Sequence, residues 1–349
     1  MNKSMKILII SVHPVLEYDE RCLFSELGCQ CFSLGFYSDF DHRSSDSLRT
    51  AFPNNGFLSE ARTLFMDSGC QITPNDPATY ILSKSFVEWF DIIVVHHNYH
   101  FIERNWDNIR WSKVIWRTIG QELSVPERRL RPYREDGLLV VRWSPAERGI
   151  EDYIGEDAII RASKRRSEFL EWQFGSGAIV TFNNNFRARQ DALSLGFYME
   201  CIETLSATVY GLGNEDLSNW GGVLSAAEQI DVLSKASAAF VTGTYPAPYT
   251  LGFAEAWMAG TPVVHVGEEV LRRAFSTLTF EVPELIKNGV DGFIVNSVTE
   301  ARAALTSLKL DKELAYSVSR QGIASAERYF GWDRGLHEWG TFFENIYRT

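Results

Sequence analysis

The run Pro248-Tyr249-Thr250-Leu251-Gly252-Phe253-Ala254-Glu255-Ala256-Trp257-Met258-Ala259-Gly260-Thr261-Pro262-Val263-Val264 reads as a loop, a helix and then a strand. Tyr249, Thr250 and Leu251, where loop becomes helix, can aim backbone N–H groups and a hydroxyl at a diphosphate, helped by the positive end of the helix dipole. Glu255 falls about one turn into the helix, where a carboxylate can accept hydrogen bonds from a ribose diol. Ala259-Gly260-Thr261-Pro262 ends the helix, and Val263-Val264-His265-Val266 reads as the next buried parallel strand.

Downstream, Pro283-Glu284-Leu285-Ile286-Lys287-Asn288-Gly289-Val290-Asp291-Gly292-Phe293-Ile294-Val295 carries two glycines that allow a tight helix-to-strand turn, and residues 299–321 read as helices. With the ending from Ala324 to Trp332, these segments resemble the donor-binding half of GT-B glycosyltransferases. The closest resemblance is to the retaining group whose motif is Glu, seven residues, Glu, then Ala-Met-Ala-x-Gly-x-Pro-Val-Val. Glu255 stands at the second glutamate and Ala247 at the first. In that family the first Glu contacts the transferred sugar, so neither donor identity nor stereochemical outcome carries over to this chain. The C-terminal half matches in order and spacing, the N-terminal half only in its pattern of elements.

The resemblance implies an α/β fold of two Rossmann-like, doubly wound domains facing a cleft. Residues 1–172 would form an N-terminal acceptor-binding domain, 173–330 a C-terminal nucleotide-sugar-binding domain, and 331–349 a helix crossing back to the first. It implies metal-independent transfer, of a hexose in the leading reading, from a UDP- or GDP-linked sugar to an acceptor hydroxyl, with no further cofactor. The acceptor would be a cell-surface glycan or a lipid-linked glycan. Two alternatives stay open: a phage-type enzyme with DNA as acceptor, and an inactive protein that only binds sugar nucleotides or acts as a scaffold.

A chain of 349 residues, 45% of them hydrophobic, can bury two cores. Its 34 basic and 45 acidic residues give a net charge of −11, which argues against broad electrostatic binding to nucleic acid. Cysteines 22, 29, 31, 70 and 201 show neither zinc spacing nor an even secreted framework, so reduced thiols in a cytoplasmic protein are expected. The apolar run Ile7-Leu8-Ile9-Ile10 reads as a first strand and not a leader, and no stretch approaches the roughly 18 apolar residues of a membrane span.

Further strands are read at 6–12, 29–34, 90–95, 114–117, 138–141, 178–182, 207–210 and 238–241, alternating with helical patterns that include 56–68, 77–89 and 161–172. Such alternation predicts parallel sheets covered on both faces, with ligands bound beyond the carboxyl ends of the strands.

Polar residues at those ends are therefore the candidates. Arg187 and Arg189, after 178–182, could clamp a diphosphate bidentately, or could be two surface arginines. Their loop also resembles the Ser-Phe-Arg loop of phage DNA glucosyltransferases. Gly211 opens backbone space after 207–210, and Leu224 lies in Trp220-Gly221-Gly222-Val223-Leu224-Ser225, which resembles the family's nucleobase-lining segment. His96 and His97 end the strand at 90–95 and would face the cleft, matching a family histidine that touches the sugar; the competing reading is structural hydrogen bonding. With His100 they invite a metal, but no carboxylate pair joins them. Glu17 and Asp19 crowd the first loop, where an acceptor-activating base could sit, while Asp19 and Glu20 could equally cap the following helix. Arg117, Thr118 and Gln121 follow another strand, and Asp39-Phe40-Asp41 reads as a solvated turn. The basic runs 128–134 and 164–166 read as solvated faces or, if they converge, as a peripheral contact with the inner face of a membrane or with nucleic-acid phosphates.

Overall fold

Short β-branched runs bounded by polar turns form strands because both faces of a parallel sheet are covered by helices and must be apolar. The computed structural model describes residues 4–35, 56–73, 76–120, 123–174, 177–243, 245–276 and 279–348. The predicted turn at Asp39-Phe40-Asp41 and Gln121 lie outside them. Two compact units emerge, Met1–Ser163 with Asp333–Thr349, and Lys164–Trp332.

In the first unit, β1 (Lys6–Ile10), β2 (Gln30–Ser33), β3 (Ile92–His96), β4 (Lys113–Arg117), β5 (Leu139–Arg142) and β6 (Ala158–Ile159) form one sheet in the order β2-β1-β3-β4-β5-β6. Every pair is parallel. Its core joins the sheet to Phe86, Phe101 and Trp106 on the covering helices. The aromatic residues of the helix Trp332–Arg348 seat on Phe24, with Trp339 4.8 Å and Phe343 5.3 Å away between ring centroids.

In the second unit, β7 (Ile179–Phe182), β8 (Ala207–Tyr210), β9 (Ala238–Val241), β10 (Val263–Val266) and β11 (Phe293–Val295) order as β11-β10-β9-β7-β8, again all parallel. The helix Leu251–Ala259 is apolar nearly all round and buried from Phe253 onward, as expected of a helix enclosed by others. It ends at Gly260, whose φ of 82° is the left-handed cap that the sequence predicts. A Cβ there would also press on the end of the Ile323 side chain, 2.8 Å away. Among the described residues, no helix is long and apolar enough to cross a membrane.

Two predicted helices are absent. Residues 161–172 run extended apart from one 3-10 turn, Arg166–Glu168, because the Lys164 N–H donates to Phe330 O at 2.6 Å and the segment bridges to Gly331. Residues 77–89 split into a 3-10 turn, Pro77–Thr79, a bridge between Gln71 and Ile81, and a one-turn helix, Lys84–Val87. The buried amide of Asn105 holds that break open, accepting from Leu82 N and donating to Tyr80 O, both at 2.8 Å. In each case a tertiary partner claims backbone groups that a helix would need.

None of the five cysteines forms a disulfide, and burial pushes the Cys29 and Cys201 thiols up to about 12. On β10, His265 is fully buried against Phe253 and Phe280, with Nδ1 2.8 Å from Val266 O. Burial lowers its pKa from 6.5 to about 4, and the hydrogen bond to Val266 O opposes this only in part. Because the folded pKa is lowered, protons bind the unfolded chain preferentially between pH 6.5 and 4. The stability difference between the native chain and His265→Asn, measured by urea unfolding at pH 7 and pH 4.5, is expected to shift by ~2 kcal/mol in favour of the variant at the lower pH.

Candidate active site

The chain reverses its winding direction at β7, which lies between β8 and β9, so the loops after β7 and β9 diverge and leave a crevice. Asn183 spans it, donating from Nδ2 to Thr242 Oγ1 at 3.1 Å. The loops after β7 and β8 are zipped by asparagines: Asn214 donates to Asn183 O at 2.6 Å and accepts from Phe186 N at 2.8 Å, while Asn184 accepts from Leu212 N at 2.9 Å. Gly211, at φ 130°, permits this approach, since a Cβ would lie 2.2 Å from Asn183 O. The space beside the Gly211 Cα is therefore taken by Asn183 O and Asn184 Oδ1. Leu224 is half-buried just before Ser225, which caps the helix Ala226–Lys235.

The start of the helix Leu251–Ala259 abuts the end of β7, with the Cβ position of Gly252 only 3.9 Å from Phe182 Cβ. Thr250 caps the helix, its Oγ1 accepting from Phe253 N at 3.0 Å. First-turn N–H groups such as those of Leu251 and Gly252 have no intrahelical acceptor and form the positive end of the dipole. Tyr249 is buried, with its ring centroid 5.0 Å from that of Phe330. Arg187 and Arg189 are exposed, and Arg187 pairs with Asp216.

Glu255 lies deeper than its position in the motif suggested, with a side chain only 10% exposed. Its Oε1 accepts from Lys164 Nζ at 2.6 Å and its Oε2 from Gln229 Nε2 at 2.7 Å. Neither partner was found from the sequence, where Lys164 was only the first member of a basic triplet.

The first unit places a buried polar chain at the carboxyl ends of β1, β3 and β4. Ser11 Oγ lies 2.9 Å from His96 Nδ1, and His96 Nε2 lies 2.9 Å from Glu20 Oε2. Glu20 Oε1 accepts from Arg117 Nε at 2.7 Å, and Arg117 Nη1 donates to Arg142 O at 2.9 Å. Arg117 also faces the rings of Trp143 and Trp339, at 5.2 and 5.7 Å. Burial alone would raise the Glu20 carboxyl, but the charge of Arg117 and the bond from His96 outweigh it and hold the group below its ordinary value.

Of the residues predicted for catalysis, His96 is wholly buried within this chain, with both ring nitrogens engaged. His97 is half-buried in a left-handed conformation, φ 62°, anchored by its N–H to Arg117 O at 2.9 Å and by Trp116 Nε1 to its carbonyl at 3.1 Å. Glu17 is buried and accepts from Ser33 Oγ at 2.5 Å, and Asp19 is buried on the same helix, Pro14–Glu26. That helix is capped by His13, whose Nδ1 accepts from Leu16 N at 3.3 Å, which corrects the capping role expected of Asp19 and Glu20.

The basic runs are built into the fold. Arg128 pairs with Asp152, Arg129 with Glu103 and Arg134 with Asp157, while Arg131 donates to Asp152 O. Arg165 lies over Trp332 and Arg166 donates to Phe169 O. Among the described residues, no group of three or more His, Cys, Asp or Glu side chains could hold a metal ion.

No family model matches the chain, and no curated protein sequence matches it. Solved structures do. Sucrose-phosphate synthase from Thermosynechococcus elongatus is similar at a TM-score of 0.66 and 13% identity, over 99% of both chains. HepE from Anabaena, in complex with UDP-glucose, gives 0.64 and 13% over 99% of this chain and 100% of its own. A glycosyltransferase from Rickettsia africae gives 0.64 and 11% over 99% and 100%. Likeness at this identity is one of fold: the two-domain, Rossmann-like GT-B fold, matched along nearly the whole chain.

The chain through Glu20 makes a stability prediction. Removing one member of a buried ion pair strands the other, so Glu20→Gln is expected to lose on the order of 3 kcal/mol by denaturant unfolding at pH 7. Adding Arg117→Met should restore part of that loss, and additive losses in the double variant would show that the two do not act as a pair.

Proposed function

We propose that this protein is a glycosyltransferase that takes a sugar from a nucleotide-diphosphate donor, bound by the unit 164–332, and passes it to an acceptor hydroxyl bound by the unit containing residues 1–163. The observation that carries the reading is the start of the helix Leu251–Ala259 set beside the end of β7, with Glu255 one turn in. Helix N–H groups and the Arg187 guanidinium, once released from Asp216, would receive the diphosphate and stabilise its charge as the anomeric bond breaks, serving in place of a divalent ion. Glu255 would accept from the ribose hydroxyls. In the first unit, His97 is the accessible histidine of the pair, and the buried Ser11–His96–Glu20–Arg117 chain would hold the loop that carries it.

A hexose is the sugar we favour, linked to UDP or GDP, with a glycan or lipid-linked acceptor. The UDP-glucose in the Anabaena HepE structure makes a UDP-linked sugar the first donor to try. Pairing of the arginines in 128–134 with acidic neighbours weakens the reading of that run as a contact with a membrane or with nucleic-acid phosphates. A second reading, binding without transfer, is favoured by Ala247 at the first glutamate position and by the engaged carboxylate of Glu255. Release of labelled sugar from a donor with a panel of acceptors separates the two.

The donor site is tested by calorimetric binding of UDP and GDP to the native chain, Glu255→Gln and Arg187→Ala. Loss of a charge-assisted hydrogen bond should weaken binding by about tenfold in the first variant. Arg187→Ala should weaken it about three- to fivefold and lessen its salt dependence, as for an exposed charge. Unchanged affinity in both variants would remove the site.

A further inference from the structure

The two oxygens of Glu255 are held by partners of very different kinds. Lys164 is wholly buried, is anchored through its N–H on Phe330 O, and brings a full charge to Oε1 at 2.6 Å. Gln229 is half-buried and brings a neutral amide to Oε2 at 2.7 Å. Its backbone is set in the first turns of the helix Ala226–Lys235, whose Ser225–Glu228 capping box fixes where the side chain starts but leaves its torsions free. Withdrawing Lys164 would strand a buried charge, whereas withdrawing Gln229 forfeits one ordinary hydrogen bond. Of these two partners, Gln229 at Oε2 is the one whose displacement costs less.

We propose that the Gln229 amide holds the place of a vicinal diol on Glu255 and moves aside when a ribonucleotide binds, while Lys164 is the positioning residue that keeps the carboxylate aimed and charged. This rests on the donor-site reading above. A carboxylate paired with an ammonium only accepts hydrogen bonds, so the exchange selects a pair of donors. An unsubstituted ribose qualifies, whereas a sugar carrying a 2′-phosphate or lacking both hydroxyls does not. Two hydroxyl donors replace one amide, and the balance between them sets the affinity.

The experiment compares UDP with 2′,3′-dideoxy-UDP, and GDP with its dideoxy form, by calorimetry on the native chain, Gln229→Ala and Lys164→Met, with urea unfolding to confirm that each variant is folded. For Gln229→Ala, the ribonucleotide should bind about fivefold tighter, the equivalent of one hydrogen bond no longer displaced, and the dideoxy form should be unchanged. For Lys164→Met, the preference for ribose over dideoxyribose should collapse toward one while dideoxy binding persists; a merely structural role would weaken both alike. If Lys164→Met does not fold, Gln229→Ala decides. Equal effects of Gln229→Ala on both nucleotides, or weaker ribonucleotide binding, would overturn the exchange. A native chain that binds both forms equally well also overturns it but leaves the donor site standing, whereas one that binds neither UDP nor GDP removes both.

Discussion

A parallel sheet buried on both faces has room for polar side chains almost only at the ends of its strands, and the chemistry of this protein follows from that restriction. In the first unit, His96, Arg117 and Arg142 are the last residues of β3, β4 and β5, and Ser11 directly follows β1. In the second, Asn183 and Thr242 directly follow β7 and β9. Strand interiors are largely apolar, with His265 on β10 an exception, so polar side chains collect at the carboxyl ends of the strands.

Buried charges in such a layer must be paired and hydrogen-bonded, since desolvation otherwise outweighs their attraction. The two units meet this demand differently. Around Glu20, His96 and Arg117 each bond one carboxylate oxygen, and Arg142 is held in turn by a bidentate contact with Glu127. Such an arrangement is suited to fixing loops in place. Around Glu255 one oxygen is held by an ammonium and the other by the amide of half-buried Gln229. A carboxylate so held is already charged and oriented, which lessens the reorganisation a ligand must impose.

The surface shows how poorly charge density along the chain predicts charge in space. Four arginines in the helix Ser124–Glu135 suggest a basic face, yet their partners Glu103, Asp152 and Asp157 come from elsewhere in the same unit. A run of like charge is a patch only if the fold leaves its partners distant.

Much was legible in the sequence because it is local. Strand positions, the Thr250-to-Gly260 helix with its left-handed end and the alternation that dictates parallel sheets all depend on neighbours within a turn or a strand. The helices expected at 77–89 and 161–172 failed where distant groups, Asn105 and Phe330, claimed the backbone. The site divides along the same line. Glu255 and the helix start could be read directly, but Lys164 and Gln229 stand 91 and 26 residues away from that glutamate, and Glu20 stands 76 from His96. Residue type and spacing settle what a segment can form by itself. Which carboxylate meets which cation is settled by strand order, and only the folded sheet brings those ends together.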